Sequence, residues 1–144
     1  MPKGPDPRHA PAPLAHVPAL LSRGADAFNE RRFWDAHEAW EEAWHGLRAH
    51  KPELAEHLHG MILVAAALEN ATRKKESGFK RQLAEGLYLL QTHRAARDSL
   101  LVDGAAWVDG LVTLYADACR RREWAWWNDA PWQAPVVRVA PVLR

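Results

Sequence analysis

The placement of proline limits what this chain can fold into more than any other feature of its sequence. Nine of the ten prolines lie within the first 18 or the last 14 residues, and Pro52 alone falls between Ala19 and Arg122. Proline lacks a backbone N–H and disrupts the interior of a helix. The central run can therefore be helical over most of its length, whereas neither end can form a long helix.

Apolar residues within the central run recur at the spacing of one helical face, as in Phe79, Leu83, Leu87 and Leu90. Strand-type alternation is absent before the Val-rich end of the chain. Short connections favour antiparallel neighbours, so we expect an all-α fold, an antiparallel up-and-down bundle of about five helices. The predicted helices cover roughly residues 18–30, 33–49, 52–73, 78–98 and 104–121.

The same pattern divides the chain into three parts. Residues 1–17 are predicted to be a proline-rich, flexible N-terminus, and residues 18–122 a helical bundle domain. Residues 123–144 combine prolines with four tryptophans, which are too apolar to remain in solvent. We expect this segment to be an extended tail that packs on the bundle or on a partner subunit, where it would support a homo-oligomer. Its tryptophans are Trp124, Trp126, Trp127 and Trp132.

Composition narrows the possible partners. The formal charge of +1, from 19 basic and 18 acidic side chains, gives no reason to expect a nucleic acid. The longest apolar run, residues 60–68, is too short to span a bilayer, so no membrane partner is expected. Cys119 is the single cysteine, which excludes an intramolecular disulfide. We expect a cytoplasmic, soluble protein.

One stretch, FWDAHEAWEEAWHG at residues 33–46, concentrates the side chains that carry chemistry. On a helical wheel, His37, Glu41 and Trp44 share one edge of the core-facing side. Trp40 lies at the centre of that side, and Glu38 points away. We take His37, Glu38 and Glu41 as candidate catalytic residues, and Trp40 and Trp44 as candidate ligand-binding residues.

Glu69 is an anomaly in the third predicted helix, because it falls among apolar residues on the inner face. A buried carboxylate needs a partner or a raised pKa. We therefore add Glu69 to the candidate ligand-binding residues, in a polar cluster with His37 and Glu41. Arg32 or Arg48 is the alternative counter-charge for these carboxylates.

These motifs resemble those of domain of unknown function family 309, a family of small all-helical bacterial and archaeal proteins. The matching residues extend over about residues 25–90. The resemblance implies an antiparallel helical bundle and a suspected role for the His and Glu pair, with no established activity. The chain departs from the family at Arg31, where Gly is frequent, and at Leu63, where Gln is frequent. The matching residues are Phe28, Asn29, Phe33, Trp34, His37, Glu38, Glu41 and Trp44.

Three functional hypotheses remain open beside a purely structural polar seam. His37 and Glu41, four residues apart, can chelate a divalent metal ion for a hydrolytic site, and a third ligand would come from Glu69, His57 or His59. A metal-free pocket would bind a small molecule, with His37 as an acid–base group. A protein-interaction module would use the tryptophans of the tail.

Overall fold

The fold is all-α over the residues that the computed structural model describes, 13–120 and 134–140. The helical fold class is thus confirmed. Within these ranges there are six α-helices rather than about five, preceded by a short 3-10 helix at Leu14–His16. The α-helices are α1 (Val17–Asn29), α2 (Phe33–Leu47), α3 (Pro52–Thr72), α4 (Glu76–Thr92), α5 (Arg94–Leu100) and α6 (Gly104–Arg120).

The additional helix arises because the predicted helix 78–98 is interrupted at His93. The backbone of His93 has φ −104° and ψ 57°, outside the helical region, and it separates α4 from α5. The reoriented α5 packs against α3 and α6. No proline or glycine lies within five residues of His93, so this break has no local signal in the sequence.

The first two helices form an antiparallel hairpin around Trp40. The indole Nε1–H of Trp40 donates to the carbonyl of Leu21 at 3.1 Å, and a side chain at Gly24 would overlap the same ring. Nearer the turn, the rings of Phe28 and Phe33 are 5.3 Å apart. A later residue of α1 thus contacts an earlier residue of α2. The start of α2 therefore lies beside the end of α1, and the two helices are antiparallel.

Two of the connections are tight turns that use a left-handed residue. Arg31 has φ 64° after α1, and Lys74 has φ 61° after α3. After α1, the N–H of Arg31 donates to Phe28 and the N–H of Arg32 to Ala27, the pattern of a Schellman motif. The same pattern follows α3, where Lys74 and Lys75 donate to Ala71 and Asn70.

Helices α3 and α4 approach each other closely at a pair of glycines. A Cβ atom on Gly86 would lie 2.9 Å from the carbonyl oxygen of Gly60, and one on Gly60 would lie 3.1 Å from that of Gly86. Farther along α3, Asn70 donates to Gln82 of α4. Since the later residue on α3 meets the earlier residue on α4, these two helices are also antiparallel.

Residues 134–140 run without helix along the bundle. Val139 forms an antiparallel bridge with Leu101, and the N–H of Val102 donates to the carbonyl of Arg138 at 2.9 Å. Val137 is 1% exposed and belongs to the main core. The tail tryptophans at 124–132 and the proline-rich residues 1–12 lie outside the described residues, so the oligomer through the tail stays a prediction.

A cluster of aromatic rings lies at the centre of the core. The ring of Phe28 contacts Phe33, Trp40 and Trp107, with centroid separations of 5.3, 5.7 and 5.7 Å. These rings join α1, α2 and α6, so the cluster fixes the hairpin against the last helix. Among the described helices, none combines the length and the apolar character needed to cross a membrane.

Candidate functional site

His37 lies on the flank of α2, with 17% of its side chain exposed. Its imidazole stacks on the indole of Trp34, with ring centroids 4.7 Å apart and an angle of 8° between the planes. Trp34 is itself 50% exposed. The stacked ring restricts the rotation of His37 and leaves the pair at the boundary between core and solvent.

Two carboxylates face the same nitrogen of His37. Nδ1 lies 3.2 Å from an oxygen of Glu38 and 3.6 Å from an oxygen of Glu41. Glu38 lies on the exposed side, as the helical wheel predicted, but its flexible side chain turns back towards His37. The second oxygen of Glu41 lies 4.0 Å from Nε2 of His45. His37, Glu38 and Glu41 are therefore a single cluster.

The three side chains form a set of ligand atoms with the spacing that a cation needs. One ligand atom from each of His37, Glu38 and Glu41 lies within 4.8 Å of the other two. Glu38 and Glu41 are about half exposed, at 53% and 46%. Imidazole and carboxylate donors together suit zinc, iron and manganese.

Trp40, which the sequence suggested as a ligand-binding residue, lies apart from this cluster. It is 0% exposed, and its N–H is already bonded to the backbone of Leu21. Trp44 is half-buried and packs against the core. The guanidinium of Arg48 lies over its ring, 4.9 Å from the centroid, so Arg48 contacts an indole rather than a site carboxylate.

Glu69 also differs from its prediction. Its carboxylate accepts a hydrogen bond from Arg73, one turn later in α3, at 2.9 Å. That neighbour supplies the counter-charge that the sequence pattern required. Arg32 likewise bonds to Glu30 and Asp35 instead of the carboxylates of the cluster.

His57, a candidate third metal ligand, is buried on the side of α3 that faces α5. It is 0% exposed, and neither ring nitrogen has a hydrogen-bond partner among the described residues. Burial, with a smaller contribution from the charges of Arg97 and His93, lowers the pKa of His57 from 6.5 to about 3. His57 is thus a neutral core residue. The other candidate, His59, lies beside Trp44, with ring centroids 6.0 Å apart.

Trp34 is the residue of the site that the helical wheel did not single out. It precedes His37 by three residues, and side chains at this separation are neighbours on a helix. That spacing was a usable signal. The signal was easy to miss because Trp34 is adjacent in sequence to Phe33, a second aromatic residue, whose ring is fully buried.

The fold and the site define a class: an all-α protein whose second helix carries a partly exposed His–carboxylate cluster. Residues 21–82 match the model of the family described as "Domain of unknown function (DUF309)". This match confirms the resemblance seen in the sequence over a segment that contains the whole cluster. Searches of curated proteins and of solved structures found no match.

Proposed function

We propose that this protein binds a divalent metal ion through His37, Glu38 and Glu41. The observation that carries the proposal is the convergence of three ligand atoms within 4.8 Å of one another. The approach of Glu38 supports it, since it supplies a third ligand without any residue from another helix. Glu69 and His57 are not required.

The arrangement suits an open site rather than a closed structural one. Structural zinc sites use four protein ligands, whereas catalytic sites keep positions for water or substrate. Here one helix contributes three ligands from one side, and the half-exposed carboxylates border solvent. A bound ion would retain water, and a metal-bound water is the nucleophile of metal-assisted hydrolysis. Hydrolysis is therefore the reaction class that we assign to the site.

Metal titration of the full chain tests the proposal. Calorimetry with Zn²⁺ and Mn²⁺ should give one equivalent bound, and His37→Ala or Glu41→Gln should weaken the affinity by about tenfold or more. Glu42→Gln is the matched control, because it removes the same charge from the same helix but Glu42 pairs with Arg23 at 3.7 Å. A wild-type chain that binds no ion, or equal losses in Glu41→Gln and Glu42→Gln, would reject the site.

Trp34 provides a second variant that separates geometry from charge. Because its ring stacks on His37, Trp34→Ala should weaken metal binding without removing a ligand. Tyr88→Ala serves as the control, since it removes another exposed aromatic residue at a different position. Equal metal affinities for the Trp34→Ala and wild-type chains would show that the stacked ring does not position the ligand.

A metal-free pocket is the second candidate, and the exposed face of Trp34 beside two carboxylates favours it. An indole face and nearby negative charge attract an organic cation. In this version His37 acts as an acid–base group oriented by a carboxylate. Titration with tetramethylammonium in the presence of a chelator distinguishes the two functions: binding that survives chelation supports the pocket, and the absence of such binding excludes this candidate.

A further inference from the structure

A recess of about 260 Å³ lies between the start of α6 and the segment 134–140. It shares no residue with the cluster around His37, and nothing in the following argument depends on a metal there. Its wall combines an indole, two opposite charges and apolar side chains. The residues used below are Val102, Asp103, Trp107, Pro135, Val136 and Arg138.

Trp107 contributes its indole ring to this wall. The residue is only 3% exposed, and its ring packs edge-on against Phe28 at 5.7 Å. Its indole N–H has no hydrogen-bond partner among the described residues. Because this nitrogen is itself inaccessible to solvent, other atoms of the ring form the wall of the recess, and the indole signal of Trp107 can report on what occupies it.

Two charged side chains of opposite sign lie at the same recess. Asp103 immediately precedes α6. Arg138 lies on the extended segment, and its backbone carbonyl accepts a hydrogen bond from the N–H of Val102. Neither side chain forms an ion pair with another described residue. The first turn of α6 adds a partial positive charge, because the N–H groups there have no partners within the helix.

The remaining wall is apolar and open to solvent. Val102 is 43% exposed and Val136 is 63% exposed, and both line the recess together with Pro135. Exposed valines next to an acidic and a basic side chain match a small molecule with an aliphatic part and two opposite charges.

We propose that this recess binds a free amino acid with an aliphatic side chain. Its carboxylate would accept from Arg138, its ammonium group would pair with Asp103, and its side chain would cover the exposed valines beside Trp107. The binding site is formed only when residues 134–140 lie against α6, so it belongs to the whole chain and extends beyond the family segment at 21–82.

Titrations followed by the ¹⁵N–¹H signals of the tryptophan indoles test this directly on the full chain. Trp107→Phe identifies the signal of Trp107 and retains an aromatic ring there. The probes are L-leucine, 4-methylpentanoate, which lacks the amine, and 3-methylbutylamine, which lacks the carboxylate. L-Leucine should shift the Trp107 signal, and each single-charge analogue should bind about tenfold more weakly.

Two variants test which charged side chain binds the carboxylate of leucine and which binds its ammonium group. Arg138→Gln should abolish the preference for L-leucine over 3-methylbutylamine, and Asp103→Asn should abolish the preference over 4-methylpentanoate. Asparagine also tolerates the positive φ of 53° at position 103, so the second variant should keep the turn. No shift of the Trp107 signal at millimolar L-leucine would overturn the proposal. So would equal affinity for all three probes, or unchanged preferences in both variants.

Discussion

Asn29 and Val137, 108 residues apart, are joined by two hydrogen bonds through one side-chain amide. Nδ2 of Asn29 donates to the carbonyl oxygen of Val137, and Oδ1 accepts from its N–H, each at 2.9 Å. The side-chain amide thus bonds to both backbone groups of Val137, as the backbone of a neighbouring β-strand would. Because Asn29 ends α1, this contact attaches residues 134–140 to the part of the chain that matches the family.

Replacing this amide should release the extended segment. Asn29→Ala leaves the N–H and carbonyl of the buried Val137 without partners, and we expect a loss of about 1–3 kcal/mol in the free energy of unfolding. Urea denaturation measures it. Trypsin should also cleave after the exposed Arg138 faster in this variant. Asn70→Ala, which removes a bond between two side chains, should leave that cleavage rate unchanged; equal acceleration in both variants would contradict the assignment.

Gly24 should not tolerate even a methyl group. The Cβ of Gly24→Ala would overlap the indole of the fully buried Trp40, whose displacement also breaks its bond to Leu21. Overpacking of this kind costs about 1–3 kcal/mol, which exceeds the gain of about 1 kcal/mol from replacing glycine in a helix. In a Trp40→Phe background the same change should cost less. Thermal and urea unfolding of the four chains complete the cycle, and additive effects would show that the two residues are uncoupled.

His57 should make stability depend on pH in the acid range. Its pKa is lowered from 6.5 to about 3 in the folded protein, so the unfolded chain takes up a proton that the native chain does not. The contribution of His57 to the free energy of unfolding is fully present above pH 6.5. It decreases by about 1.4 kcal/mol per pH unit as the pH falls from 6.5 towards 3.

Comparison with His57→Phe isolates this effect from the other titrating groups. Between pH 7 and pH 5, the free energy of unfolding of the wild-type chain should fall by about 2 kcal/mol more than that of the variant. Urea denaturation at both pH values measures the difference. Parallel pH profiles would show that His57 takes up its proton equally in the two states.

Arg31→Gly should stabilise the protein. The left-handed conformation at φ 64° is strained for arginine but not for glycine, although glycine loses more backbone entropy on folding. We expect a net gain of about 0.5–1 kcal/mol by chemical denaturation. Lys74→Gly, at φ 61° in the same type of turn, should behave alike, whereas Arg48→Gly, in a right-handed residue at φ −60°, should destabilise. A loss of stability in both left-handed variants would refute the explanation.

The sequence alone determined the helical fold class, the resemblance to the family over residues 21–82 and the placement of His37 beside Glu41. These features depend on interactions within a few residues. Proline acts on its own helix, and side chains four residues apart are neighbours in any α-helix. The same reasoning predicted the bounds of α1, α2 and α3 to within two residues.

The tertiary structure decided which chemical groups meet. It divided the fourth predicted helix at His93, placed Trp40 entirely inside, gave Glu69 a partner in Arg73 and joined Asn29 to Val137. Helical periodicity gives the direction of a residue around its axis, but not the rotamer of a long side chain or the identity of the neighbouring segment. Those depend on packing between residues far apart in sequence, where small differences in burial and hydrogen bonding select one arrangement.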